Sequence, residues 1–260
     1  MIGRLASVAA RILSGFRKNR IKPYLKRKNV EGVEFDFWIG DSIGRDWYDL
    51  QCTDPVWLEM RFIRDRMVEK GDVVFDCGAH HGCTAILFSN WVGPEGKVIA
   101  FEALPANCDI LEKNLVQNGL KNVVLERKAV GAVNGTIIVD SLPNSAISLS
   151  RRGTEAVVTR IDEYERLHPT FLKIDVEGYE QKVLQGAGKI FSTCPKFEIE
   201  IHTEILPKYG ASVEEIFRLI GVGRYDLWIQ WEDGKSPEPY DVKTPIRHRV
   251  HLFGLPRVPH

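Results

Sequence analysis

Val73-Val74-Phe75-Asp76-Cys77-Gly78-Ala79-His80-His81-Gly82 reads as a short apolar strand that delivers an acid and two glycines to a turn. Helical spacing resumes over 83–91, a second apolar strand follows at 97–101, and a second helix at 107–118. Strand, turn, helix, strand in this order is the signature of βαβ units and of a parallel sheet covered on both faces. Working outward, residues 122–125, 171–174 and 197–201 read as further strands, with helices over 179–190 and 213–220. Closing strands are expected at 225–231 and 247–253, joined by a loop over 232–245 that is rich in Pro, Gly and charge. Upstream, 33–39 alternates Val33, Phe35, Phe37 and Ile39 with polar neighbours, the pattern of a half-exposed strand. A helix is expected from Pro55, capped by Asp54, to Glu69 before Gly71. The fold class is therefore α/β and Rossmann-like, one domain over 55–260 preceded by a basic helix-and-strand appendage over 1–54.

Parallel-sheet geometry brings Asp76 and Glu102, at the ends of neighbouring strands, to one carboxyl edge, where open α/β sheets bind ligands. A carboxylate at Glu102 can accept from two ribose hydroxyls at once. A dinucleotide fingerprint requires G-x-G-x-x-G, whose middle glycine admits a pyrophosphate. Here Gly78 and Gly82 stand four apart and His80 occupies the middle position. S-adenosylmethionine has no phosphate, and its ammonium suits a nearby acid such as Asp76. D-x-G-x-x-x-G with a strand-end Glu therefore favours that cofactor, and a nicotinamide oxidoreductase is the alternative. His80 and His81 are adjacent, so their side chains are expected to diverge, and no third ligand stands near in sequence; no metal is expected there.

Composition narrows the partners. The 260 residues carry 35 Lys and Arg against 35 Asp and Glu, a balance that excludes a polyanion such as DNA as the main partner. No apolar run is long enough to span a bilayer. Locally, nine Lys or Arg and no acid lie between Arg4 and Lys28. Leu5, Val8, Ile12 and Phe16 recur at helical spacing, so residues 4–18 read as an amphipathic helix that docks on the domain, on a homodimer mate, or on anionic membrane. Cys52, Cys77, Cys83, Cys108 and Cys194 show no paired spacing, which points to a reducing, cytoplasmic setting with peripheral membrane contact as the variant reading.

The chain resembles the FkbM-type methyltransferases over roughly residues 57–202. The turn 76–82, the block Val98-Ile99-Ala100-Phe101-Glu102-Ala103-Leu104-Pro105, and Leu172-Lys173-Ile174-Asp175-Val176-Glu177-Gly178-Tyr179-Glu180 carry the likeness, with Lys128-Ala129-Val130-Gly131 and Glu200-Ile201-His202 in matching order. The family often has Asn where His80 stands and Pro where Ala103 stands. The resemblance implies a seven-stranded, mostly parallel class I methyltransferase sheet with helices on both faces. It also implies methyl transfer from S-adenosylmethionine to an acceptor, often a hydroxyl of a sugar or secondary metabolite. Cofactor contacts then fall on Asp76, Gly78, Ala79, His80, Gly82, Glu102, Ala103, Lys128, Ala129 and Asp175. An Asp/Asn-Pro-Pro-aromatic motif, expected for a nucleobase acceptor, is absent after the fourth strand, so the acceptor is read as a small molecule or glycan and no nucleic acid is expected. The cysteine triad of a radical mechanism is absent too.

Period-2 geometry puts Lys173 and Asp175, with Glu177 beyond them, on one side of the fourth strand, and Glu198, Glu200 and His202 on one side of the fifth. Charges on inner strands are costly unless paired or used. Lys173–Asp175 can be a structural pair; the resemblance instead implies Asp175 near the reacting methyl and Glu177 near the acceptor. An alcohol acceptor needs its proton removed, and His202 is expected as general base, oriented by Glu200 or Glu177. The same set could alternatively hold a divalent ion. A non-catalytic scaffold would not need these residues.

Overall fold

The computed structural model of the chain describes residues 21–51, 57–140 and 153–257; the amphipathic helix expected over 4–18, Cys52 and the Asp54 cap lie outside the described residues. The first elements are two antiparallel strands, β1 (Tyr24–Val30) and β2 (Val33–Ile39). Glu31 and Gly32 join them with φ of 48° and 82°, the left-handed pair that two-residue hairpins favour. Glu31 holds that conformation because its buried carboxylate accepts from the Trp57 amide at 2.8 Å and from Arg61 and Arg64 at 3.1 and 2.9 Å. As its alternation predicts, β2 buries Phe35, Phe37 and Ile39. β1 has no such alternation and was not expected; Arg27, reaching Glu34 and Asp36 across the hairpin, shows that its charges serve the pairing.

A short helix (Ser42–Arg45) capped by Asp41 and a π-helical turn (Asp46–Gln51) precede the helix Leu58–Arg66, which stops three residues short of the expected Glu69. Then β3 (Val73–Cys77), β4 (Lys97–Phe101) and β5 (Val123–Glu126) alternate with the helices Cys83–Val92 and Pro105–Gln117. A small sheet of β6 (Ala129–Val130), β7 (Gly135–Val139) and β8 (Thr154–Thr159) interrupts the pattern before β9 (Phe171–Ile174) and β10 (Lys196–Ile201). β11 (Tyr225–Trp231), β12 (Glu238–Pro239) and β13 (Val250–Pro256) close the fold.

The main sheet has the order β12-β11-β13-β10-β9-β3-β4-β5, parallel from β5 to β10, with β13 antiparallel between β10 and β11. It has eight strands where seven were expected, because two residues of the expected 232–245 loop pair with the edge of β11. One face packs Phe75, Leu172, Phe197 and Ile199 against Val183, Ile190 and Ile216. The opposite face packs Val74, Ala100 and Phe171 against Ile86, Met60 and the hairpin residues Phe35 and Phe37. The described part of the 1–54 segment thus shares the domain core. The single helix expected over 179–190 is two, Glu180–Gln185 and Gly188–Ser192. They break at Gly186, where an added Cβ would lie 2.1 Å from the Gly131 carbonyl oxygen. No helix among the described residues is long and apolar enough to cross a membrane.

Candidate functional site

Gly78 adopts φ +90°, and a Cβ there would stand 1.8 Å from the carbonyl oxygen of Asp175. Only glycine lets the end of β3 press against the end of β9, so the first turn and the Asp175 loop form one floor. His80, with φ of 50°, directs its amide to Glu102 Oε2 at 2.9 Å, while the Leu104 amide donates to Oε1 at 2.8 Å. Glu102 is therefore fixed at the end of β4 by two backbone donors, with the Asn107 amide 3.4 Å from Oε1. A groove runs past Gly78, His80, Glu102, Ala103, Lys128 and Ala129 to Asp175, collecting most of the expected cofactor residues. Lys128 is held at 2.7 Å from both Tyr164 Oη and Glu126 Oε2.

Three expected cofactor residues lie outside the groove: Ala79 lines the neighbouring cavity instead, and Asp76 and Gly82 line neither space. Asp76 is wholly buried beneath the turn and touches neither the groove nor the neighbouring cavity. Its Oδ2 accepts from the Thr84 hydroxyl at 2.7 Å, and Oδ1 has no hydrogen-bond partner among the described residues. Burial pushes its carboxyl up to about 6 against the opposing pull of Lys173 and Thr84. The expected contact of Asp76 with a cofactor ammonium is corrected accordingly: Asp175 is the acid on the groove wall. Gly82, with φ +84°, starts the helix Cys83–Val92 and lines neither space.

Beyond the groove lies a cavity of about 280 Å³ that shares Trp47, Gly78, His80, Asp175 and Glu177 with it. Ala79, Trp57, Glu198, Glu200, Arg249 and His251 help to line this second space. The register sets Asp76, Lys173 and Glu198 side by side on β3, β9 and β10, as the period-2 reading requires. Lys173 Nζ pairs with Asp175 Oδ2 at 3.0 Å, and with His202 it holds that carboxyl well below the usual range against the cost of burial. His202 Nδ1 meets Glu180 Oε1 at 2.8 Å, and the same oxygen accepts the Gly178 amide at 2.8 Å. His202 Nε2 faces Glu177 Oε2 and Glu200 Oε1, each at 3.6 Å, which is beyond hydrogen-bonding distance. Arg249 stands 3.2 Å from Glu200, and His251 Nδ1 2.8 Å from Glu198.

Burial and the nearby Asp175 carboxylate push Glu177 and Glu200 up to about 7. Burial opposes charge on His202, but Glu180, Glu200 and Asp175 outweigh it and lift the imidazole to about 10. At neutral pH these acids hold His202 in the charged form, which donates a proton; the expected neutral base is corrected on that ground. His251 is likewise lifted to about 10 by Glu200 and Glu198 against its burial.

Sequence reasoning missed Trp47, Glu180, Arg249 and His251. Trp47 sits in an irregular turn with no periodicity to expose it, although two aromatics between acids in Asp46-Trp47-Tyr48-Asp49 were a visible signal. Arg249 and His251 reach the cavity only because β13 inserts beside β10. The expected divergence of His80 and His81 also fails: their rings stack at 4.0 Å with planes 24° apart, and Asp41 lies 3.1 Å from His81 Nε2. A metal in the plane of one such ring is out of the plane of the other, so this cluster reads as an Asp41–His81 hydrogen bond and a Tyr48–His80 contact at 3.1 Å.

Residues 76–227 match the FkbM methyltransferase domain. The chain belongs to the FkbM methyltransferase family. This FkbM chain is 28% identical over 177 residues, 62% of its length and 72% of the relative's, to the hexuronic acid methyltransferase AglP of Haloferax volcanii. Among solved structures it is similar to the methyltransferase FkbM of Methylobacillus flagellatus KT, with 20% identity, a TM-score of 0.49, and coverage of 72% of this chain and 44% of that one. It is also similar to the fibrillarin of Aeropyrum pernix with natively bound S-adenosyl-L-methionine, with 15% identity, a TM-score of 0.48, and coverage of 93% and 85%. The parallel sheet and the family together make this the Rossmann-like sheet of the class I methyltransferases.

Proposed function

We propose that the chain is an S-adenosylmethionine-dependent methyltransferase that methylates a sugar hydroxyl, with a uronic acid-bearing glycan as the acceptor class. The observation that carries this reading is the wall of Gly78, His80, Asp175 and Glu177 common to the Glu102 groove and the second cavity, where a methyl group can pass from one space to the other. The groove suits the cofactor: Glu102 presents a strand-end carboxylate for ribose hydroxyls, Ala103 and Ala129 leave room for an adenine, and His80 stands where a dinucleotide turn needs its middle glycine. Bound there, S-adenosylmethionine supplies an electrophilic methyl on a sulfonium centre.

The residues of the second cavity then have distinct jobs. Trp47 and Trp57 offer indole surfaces for a sugar ring, which presents apolar C–H faces. Arg249 offers guanidinium donors to a carboxylate on that sugar, and the hexuronic acid in the name of the Haloferax relative favours this use. As the acceptor oxygen takes the methyl carbon and the bond to sulfur breaks, the hydroxyl proton passes to the carboxylate of Glu177 or Glu200, beside His202. The test is mass spectrometry of glucuronate- and galacturonate-containing oligosaccharides, beside neutral ones, after incubation with protein and cofactor. The expected product is 14 mass units heavier, preferentially on the acidic sugars, and stable to mild alkali, as an ether is. An alkali-labile ester would move the acceptor to the carboxylate, and no product with any sugar would reject the acceptor class.

A further inference from the structure

We propose that Asp175, Glu200 and His202 form a binding site for a divalent cation of the Mn²⁺ class at the junction of cofactor groove and acceptor cavity. The proposal rests on the acceptor-cavity reading above and adds an ion to it. One donor atom from each of these three residues can be chosen so that all lie within 4.8 Å of one another. The imidazole is the most telling member. His202 is buried, its Nδ1 side is taken by the Glu180 carboxylate at 2.8 Å, and its Nε2 is thereby turned towards Glu177 and Glu200 at 3.6 Å. A carboxylate behind a histidine, fixing the tautomer that presents the other nitrogen, is the usual support of a metal-ligating ring. Nε2 makes no hydrogen bond to the oxygens it faces, since 3.6 Å is too long.

That separation suits an ion. Two donors each about 2.1 Å from a metal stand about 3.0 to 3.6 Å apart when the angle between them is 90° to 120°. The donors are also acidic in excess: Asp175, Glu177, Glu180, Glu198 and Glu200 converge here, with Lys173, Arg249 and His251 paired against three of them. A mixed nitrogen and oxygen donor set suits a first-row divalent ion better than Ca²⁺. Because Asp175 and Glu200 both line the acceptor cavity, an ion between them reaches an acceptor hydroxyl and acidifies it.

The test uses the full chain stripped with EDTA. Mn²⁺ is titrated in and the free-ion electron paramagnetic resonance signal is followed, with Mg²⁺ and Zn²⁺ as competitors. The expected result is one saturable Mn²⁺ per chain, bound at least tenfold more weakly by Glu200→Gln and by His202→Ala, and unchanged by Asp41→Ala, which alters the other histidine cluster. Calorimetric binding of S-adenosylhomocysteine to every sample reports separately on folding and on the methyltransferase reading. Homocysteine-nucleoside binding without saturable Mn²⁺, Mg²⁺ or Zn²⁺ binding up to millimolar concentration overturns the ion site and leaves that reading standing. Mn²⁺ binding of equal strength in the Glu200 and His202 variants overturns it as well. Loss of nucleoside binding in the wild type defeats the parent reading instead.

Discussion

Around Glu102 the groove starts from backbone amides and glycine turns within residues 76–104, whereas the cavity beside it is lined by charged side chains drawn from positions as far apart as Glu59 and His251. At its Glu102 end the first region rests on backbone contacts close in sequence. The second gathers acids and bases that would be costly to bury singly and that compensate one another. On the proposed reading, cofactor binding and acceptor chemistry are therefore separable: one depends on chain path, the other on a charge network.

Breaking the network should leave the chain path intact. His202→Ala is expected to lower turnover by about a hundredfold or more, because Glu177 and Glu200 lose the imidazole they face, while the calorimetric affinity for S-adenosylhomocysteine stays put. A parallel loss of affinity would merge the two regions into one. Breaking the chain path is the converse experiment. In Gly78→Ala the new Cβ meets the Asp175 carbonyl at 1.8 Å and the left-handed backbone is penalised as well. Overpacking of this kind costs about 1–3 kcal/mol, so Tm should fall by roughly 5 °C or more, with nucleoside binding weakened alongside. An unchanged Tm would contradict the contact between the two loops.

A finer cut separates acceptor recognition from chemistry. Arg249→Gln is expected to raise KM for an acidic sugar about tenfold while leaving cofactor affinity unchanged, and to spare a neutral sugar; steady-state kinetics with both acceptors checks it. The smallest effect concerns Asp76. Its folded carboxyl, near 6, lies above the unfolded value of about 4, so the charged form burdens the fold at pH 8 and the burden disappears as pH falls through 6 towards 4. Asp76→Asn should therefore raise Tm by a few degrees at pH 8 and give no gain near pH 4, as thermal melts at the two pH values will show.

Much of the groove was legible because its determinants are contiguous. The turn 76–82 and the strand-end Glu102 each announce a local backbone shape, and the alternation of apolar runs places both at one sheet edge. The depth of Asp76 was not legible, since a strand-end acid reads alike whether it lines a ligand or sits under it. The polar faces of β9 and β10 followed from period 2, yet the partners of His202 did not. Glu180 lies on a helix after the Glu177–Gly178 turn, and Arg249 arrives on a strand inserted antiparallel beside β10. Such long-range pairings leave no local periodicity. The same reason hid β1, whose lysines and arginine read as a basic tail although Lys28 is buried against the Tyr48 carbonyl.

If the Glu102 groove holds S-adenosylmethionine, the nucleoside alone should bind there. This is tested most directly by calorimetric titration of S-adenosylhomocysteine and, separately, NAD into the wild type and Glu102→Ala. The prediction is one saturable site for the homocysteine nucleoside and none for NAD, with the substitution weakening binding by about 1–3 kcal/mol, the scale for losing hydrogen bonds to a charged group. Tight NAD binding, or nucleoside binding untouched by Glu102→Ala, would contradict it.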